Sequence, residues 1–273
     1  MAILTLLAFV GLSGAALSAI MATAWRLQQR TGNSGWVDTI WSFGTGAVAV
    51  GAALVPVTGA VGWRQAMVAA LAAAWSLRLG FHIARRSHGA DDDPRYRQMA
   101  ETWGAEAPRR MFWFLQAQAV AGVPLVVAVA LAAHHPAAGV RLQDVIGTIL
   151  FLVALAGEAT ADVQLRRFKA SPAADRLCRT GLWGWSRHPN YFFEWLAWIS
   201  YPVIAIGDGH GLGWLSLAAP IVMYWLLVHV SGIPPLEAQM ERTRGAAFRD
   251  YRRTTSPFFP LPPAARSSRS NRP

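Results

Sequence analysis

Four polar residues, Arg187, His188, Asn190 and Glu194, stand at the head of an apolar stretch of this chain. Gly181, Trp183, Gly184, Trp185 and Ser186 precede them, and Tyr191, Phe192 and Phe193 lie among them. Polar groups at the edge of a lipid-buried helix are costly and are kept for a purpose. Asn190 and Glu194 are one helical turn apart, so a helix presents both on one face. An amide offers donor and acceptor, a carboxylate accepts, and a guanidinium is a fork of donors. That set suits a charged, amide-bearing ligand held at the mouth of a membrane bundle.

Two further stripes carry charge at helical spacing. Glu158, Asp162, Arg166 and Lys169 follow each other at intervals of four, four and three, on one helical face. They read either as i,i+4 salt bridges on a solvated helix end or as a polar wall for a nucleotide, carboxylates toward ribose or adenine donors and cations toward phosphate. Arg78, His82 and Arg85, with Arg86 adjacent, repeat the pattern. Arg78 lies more than a turn inside an apolar run. It either snorkels to the surface or faces a polar cavity with a bound anion, and the shared stripe favours the cavity.

Asp38 opens another apolar run, followed at one turn by Trp41. A carboxylate there is either a proton donor whose pKa burial raises or a cap and dipole partner of the helix start. His229 reads as a helix–helix hydrogen bond, and His134 and His135 are given no role. The single Cys178 excludes an internal disulfide and a multi-cysteine metal site. No His, Cys and carboxylate set has metal-ligand spacing, so no metal is expected. No Gly-rich phosphate loop follows a strand and no serine nucleophile elbow is present.

These residues need a scaffold, and the chain supplies apolar runs. It has 273 residues, 53% hydrophobic and 15% charged, with 13 Trp, which indicates a polytopic membrane protein. Seven runs near bilayer-crossing length cover 3–25, 36–57, 61–83, 112–133, 142–161, 191–206 and 212–230. The second is Gly-rich; the sixth is short and contains Glu194 and Pro202. The first reads as a retained span rather than a cleaved signal. The expected fold is all-α: seven transmembrane helices over residues 1–260, with a C-terminal amphipathic helix over 236–253 after the break at Pro234 and Pro235. Residues 261–273, rich in Pro, Ser and Arg, are expected to be a disordered tail touching anionic lipid.

The net charge of +10 comes from 24 Arg and one Lys against 15 acids. The positive-inside rule accounts for it better than nucleic acid, which is not expected as a partner. Of the 25 basic residues, only Arg64 and Arg141 fall on one side, Arg78 lies within the third run, and the remaining 22 sit in loops and tail on the other. This places the N-terminus outside and the C-terminus in the cytoplasm. The loop 85–110 is expected to carry structure of its own, and the loop 162–189 to begin as a continuation of the fifth helix.

The segment Gly181 to Glu194 resembles the C-terminal signature of the steroid 5α-reductase superfamily, and is similar above all to its bacterial branch known only as a domain of unknown function. The likeness extends to Asn33, Asp38 and Trp41, to the Arg78–Arg86 stripe with Asp93, Pro94, Arg95 and Tyr96, and to Glu237, Tyr251 and Pro260, so it covers most of residues 30–260. The resemblance implies a seven-span NADPH-dependent enzyme of the bacterial inner membrane. Asn190 and Glu194 would sit by the nicotinamide carboxamide. Glu158, Asp162, Arg166, Lys169, Arg176 and Arg179 would line the adenosine and phosphate half, with Arg187, His188, Glu237 and Tyr251 in the same cofactor region. Arg78, His82, Arg85 and Arg86 would close over the phosphates.

The steroid reductases carry a Gln-Glu pair in span two and a Tyr in span three; this chain has no such pair, and Trp75 stands where the Tyr would be. Cofactor binding therefore transfers better than steroid specificity. The expected reaction is hydride transfer to an activated C=C of a lipophilic, sterol-like or isoprenoid-like substrate. It would enter from the bilayer past Trp41 and Trp75, with Asp38 and Glu194 as catalytic residues. A second class, S-adenosylmethionine-dependent methyltransferases of the isoprenylcysteine and phospholipid type, shares the Arg-His-Pro-x-Tyr core. The count of basic residues fits phosphates better than the one carboxylate of that cofactor. A third reading is a scaffold whose polar groups only pin helices together. Nothing in the sequence calls for an obligate protein partner beyond membrane lipid.

Overall fold

The computed structural model describes residues 3–57, 61–88, 93–171 and 177–263. Among these residues every regular element is a helix, and strand-type pairing is confined to one parallel bridge, Ser186 to Ser256. The apolar runs fold as α1 (Ile3–Thr31), α2 (Gly35–Leu54), α3 (Trp63–Ser87), α5 (Ala107–Ala133), α6 (Leu142–Lys169) and α7 (Pro189–Ala205). The loop after α3 carries α4 (Pro94–Trp103), whose start is set by Asp93: its carboxylate accepts from the Arg95 amide, and proline occupies the first turn. The fifth run continues past its apolar part to Lys169, as its charged stripe predicts.

Among the described residues six helical stretches are long and apolar enough to cross a bilayer: Ile3–Thr31, Gly35–Leu54, Trp63–Ser87, Arg95–Ala133, Leu142–Lys169 and Gly211–Thr254. Leu4, Leu12, Trp113, Val120, Leu142 and Ile221 are exposed on them, where water would be a poor solvent and lipid a good one. These are the features of an integral membrane protein. Seven spans were expected; α7, with 17 residues, falls below the roughly 20 of a full crossing.

The last predicted run is not one α-helix. A 3-10 turn over Gly211–Leu217 leads into α8 (Ala218–Trp225) and then a π turn over Leu226–Val230. The π turn ends on a wide bond from the Ser231 amide to the Leu226 carbonyl. Pro234 and Pro235 do not break the chain as a loop: they sit in the first turn of α9 (Ile233–Thr254), where a missing N–H costs nothing. In α9, Ile233, Phe248 and Tyr251 are buried while Arg242, Arg244, Arg249, Arg252 and Arg253 are exposed, and Gly245, at φ +48°, bends the helix.

The chain divides into two compact units. The first joins Met1–Thr148 with Ile199–Val222 and is built on α1, α2, α3 and α5. Leu17, Met21, Trp75, Met111, Leu115 and Leu125 fill its core. Its tightest helix pair is α2 on α3: a Cβ at Gly46 would fall 2.1 Å from the Ser76 side chain, so only glycine permits this approach. The second joins Ile149–Trp198 with Met223–Pro273. Here α6 meets α7 at Gly157, where a Cβ would fall 2.4 Å from the Phe193 ring. Phe192, Trp195, Tyr224, Phe258 and Phe259 form an aromatic cluster beside them.

Candidate functional site

Within the second unit, the segment ahead of α7 is tied down residue by residue. The Gln164 side chain of α6 accepts from the Leu182 amide at 3.0 Å, and the Trp183 indole donates to the Ala161 carbonyl at 3.0 Å. Ser186 Oγ accepts from the His188 amide at 3.1 Å and donates to the Phe258 carbonyl at 2.8 Å. Arg187 is buried, with its Nε and Nη2 each 2.7 Å from Glu237 Oε1 and its Nη1 on the carbonyls of Thr255 and Arg252. His188 Nε2 lies 3.2 Å from the same Glu237 oxygen, and the His188 ring stacks on Tyr191 at 5.6 Å. Burial pushes the His188 imidazole below its usual range, against the pull of Glu237.

The end of α9 is held to the same segment. Tyr251 is buried and its hydroxyl donates to the Trp183 carbonyl. Arg179 lies over the Tyr251 ring at 5.0 Å, pairs with Asp250 at 2.8 Å and donates to the Ala247 carbonyl at 2.6 Å. The structure thus brings Arg179, Arg187, His188, Glu237 and Tyr251 together. Their polar groups face one another across the connection between α9 and the loop before α7.

Along α6 the predicted stripe changes character. Glu158 and Asp162 are buried; Arg166 and Lys169 are exposed. Gly157 and Phe193 mark the α6–α7 contact, and the next residue on each helix is a buried carboxylate, Glu158 or Glu194. Glu194 Oε1 accepts from the Trp198 indole at 2.9 Å. Asn190 is half-buried at the start of α7. Arg176 lies outside the described residues.

The other predicted residues belong to the first unit. Asp38, in the first turn of α2, accepts from the Tyr96 hydroxyl at 2.7 Å and pairs with Arg95 at 2.5 Å. Gln118 of α5 donates to the Tyr96 oxygen at 3.2 Å. Arg95 also bridges to Asp93 at 2.9 Å, and Arg86 stands 3.8 Å from Asp93. Burial opposes charge on Asp93, but the Arg95 hydrogen bonds and the positive charges of Arg95 and Arg86 outweigh it and hold the carboxyl below its usual range. Trp41 donates to the Gln118 carbonyl at 3.2 Å and meets buried Trp75 edge-on at 6.2 Å. On α3, Arg78 and His82 are half-buried, and Arg85 and Arg86 are exposed.

Comparison with protein families matches residues 24–255 to one described as "Protein of unknown function (DUF1295)". The chain belongs to this family. No curated protein matches the chain, and no solved structure does. The DUF1295 match runs from within α1 to the residue after α9, so it contains every side chain of both polar clusters. Ser256 and Phe258, whose carbonyls anchor Arg187 and Ser186, follow directly after it.

Sequence reasoning missed three DUF1295 residues that the geometry brings forward. Gln164 holds the Gly181–Trp183 turn, Trp198 caps Glu194, and Gln118 completes the Tyr96 pair. For Trp198 the signal was available, since it lies one turn after Glu194. For the two glutamines nothing in the sequence links them to partners 18 and 22 residues away.

Proposed function

We propose that the chain is a membrane-embedded NADPH-dependent reductase that transfers a hydride to an activated C=C of a lipophilic, sterol-like or isoprenoid-like substrate. On this reading the family lies within the steroid 5α-reductase superfamily. The short α7 is a seventh crossing, accommodated by local thinning of the bilayer. The protein sits in the bacterial inner membrane with its N-terminus outside, its C-terminus in the cytoplasm, and α9 as an amphipathic helix at the inner surface.

The observation that carries the proposal is the polarity change along α6 where it meets α7. Glu158 and Asp162 are buried, and Arg166 and Lys169 emerge exposed from the same face. This donor set fits a dinucleotide phosphate: buried carboxylates accept from ribose hydroxyls or an adenine amine, and exposed cations meet phosphates. Asn190 offers the donor and acceptor a carboxamide needs, and Glu194 lies one turn on. Arg179, Arg187, His188, Glu237 and Tyr251 act mainly by holding the loop before α7 in place, because their polar atoms engage one another.

NADPH, when bound, supplies the hydride. The chain's own part is to orient the cofactor, keep water away and supply a proton, which we assign to Tyr96 with Asp38. The test is thermal stabilisation of detergent-purified protein by NADPH, NADH and S-adenosylmethionine side by side, since a ligand bound by the folded state raises the melting temperature. A shift with NADPH alone is expected. A shift with S-adenosylmethionine alone would move the assignment to the methyltransferases, and no shift with any ligand would favour the scaffold reading.

A further inference from the structure

Four segments of the first unit meet where α3 and α6 begin and α5 and α7 end. Arg64 of α3 and Asp144 of α6 form a buried ion pair at 2.9 Å. The remaining Arg64 donors go to the carbonyls of His135, Ala137 and Gly139. Asp144 also accepts from the Arg141 amide at 2.9 Å and from Arg141 Nη2 at 2.7 Å. Two guanidinium groups therefore share one carboxylate, and one positive charge is left over.

That charge sits on a guanidinium with unused donors. Arg141 Nη2 also reaches the Ile204 carbonyl, but Nε and Nη1 are buried with no hydrogen-bond partner among the described residues. Beside them His135 is 6% exposed. Its Nδ1 accepts from the Ala137 amide at 3.2 Å, which puts the ring proton on Nε2. That Nε2 is buried and likewise without a partner among the described residues. Burial, reinforced by the charges of Arg141, His210 and Arg64 and opposed by Asp144, pushes His135 down to about 4, so this neutral tautomer holds at neutral pH.

The unused donors share one target. A Cβ on Gly207 would lie 2.8 Å from Arg141 Nη1 and 3.0 Å from His135 Nε2, so the two nitrogens flank the same glycine and lie close enough together for one acceptor atom to reach both. The His210 ring, 3% exposed, lies 5.1 Å from His135, and its Nε2 is likewise buried without a hydrogen-bond partner among the described residues. Buried donors beside surplus positive charge are expensive to leave unmet. Water would satisfy the donors and leave the charge, whereas an anion answers both.

We propose that Arg141 and His135 hold a small monovalent anion of halide size over Gly207, a site separate from both polar clusters described above. Two donors this close together favour a one-atom ion over a planar carboxylate. The experiment uses the full chain in detergent and follows its melting temperature as chloride replaces gluconate at constant ionic strength. Equilibrium dialysis of radiolabelled chloride runs in parallel. A saturable rise and one chloride per chain are expected. His135→Phe, which removes a donor, and Gly207→Ala, which crowds the ion's position, should each raise the half-saturating chloride about tenfold or more, as loss of a hydrogen bond to a charged group implies. If either variant fails to fold, the other and the wild-type dialysis still decide. Equal melting temperatures in chloride and gluconate, absence of saturable dialysis binding, or an unchanged chloride dependence in the folded variants would overturn the proposal.

Discussion

The Tyr96 hydroxyl donates to Asp38 Oδ1 at 2.7 Å, while Arg95 lies 2.5 Å from Oδ2 of the same carboxylate. Asp38 thus accepts at both oxygens, and the Tyr96 oxygen also accepts from Gln118. The sequence directed attention to Asp38 alone; the geometry pairs it with Tyr96 and Arg95. Tyr96→Phe should lower turnover by about two orders of magnitude, the usual scale for losing a general acid, and leave the NADPH-induced melting shift unchanged. Single-turnover kinetics beside thermal melts check it. If NADPH stabilisation disappears as well, the hydroxyl is structural.

Arg187 and Glu237 are 50 positions apart and form the pair that fastens α9 to the loop before α7. Removing one member leaves the other charge buried, a loss of roughly 3–5 kcal/mol. Glu237→Gln should therefore lower the melting temperature strongly. Arg187→Lys should do so too, because an ammonium cannot serve Glu237 and two carbonyls with one planar fork. Combining the two should cost less than the sum of the singles, since both break one network. Additive losses in a double-mutant cycle would contradict the pairing.

The helices were legible because lipid demands long apolar runs: α5 stops at the predicted residue and α6 starts at the predicted one. The last run misled because its composition is uniformly apolar while its backbone is not, passing from 3-10 through α to π geometry ahead of Pro234 and Pro235. Hydrophobicity records solvent, not hydrogen-bond register. Spacing reaches partners one turn apart, as with Glu194 and Trp198. Spacing carries no sign of Asp38 with Tyr96 or Arg187 with Glu237, which are tertiary meetings. Nor does it distinguish the ends of the α6 stripe, since burial of Glu158 and exposure of Arg166 depend on what each turn packs against.

His135 supplies a pH signature. Its folded pKa, about 4, lies below the unfolded value near 6.5, so the unfolded chain takes up the proton first. In gluconate buffer the first unit should keep its stability above pH 6.5 and lose part of it as pH falls from 6.5 toward 4. His135→Phe should flatten that part of the profile. The measurement is melting temperature against pH for both proteins, and identical slopes in the window would sink the attribution.

Asn190→Ala removes the half-buried amide at the head of α7. Such a pair to a carboxamide is worth about 1–3 kcal/mol, so NADPH should bind roughly ten to a hundredfold more weakly. The melting temperature without cofactor should hardly change. Fluorescence titration of NADPH gives the first quantity and an unliganded melt the second. Unaltered affinity in the variant would remove Asn190 from the proposed site.

Gly157→Ala tests whether the α6–α7 contact sets the spacing of the carboxylates beside it. The added methyl would meet Phe193 Cδ1 and Cε1 at 2.4 Å, closer than van der Waals contact allows, so the ring or the helices must move. Overpacking of this kind costs about 1–3 kcal/mol. Glu158 and Glu194 follow the two contact residues directly, so the movement should also weaken NADPH binding though neither carboxylate is altered. Phe193→Leu in the Gly157→Ala background shortens the ring that clashes and should restore part of both losses. A Gly157→Ala protein with wild-type stability and wild-type cofactor affinity would mean that the helices do not meet as closely as described, and the site built on their contact would lose its frame.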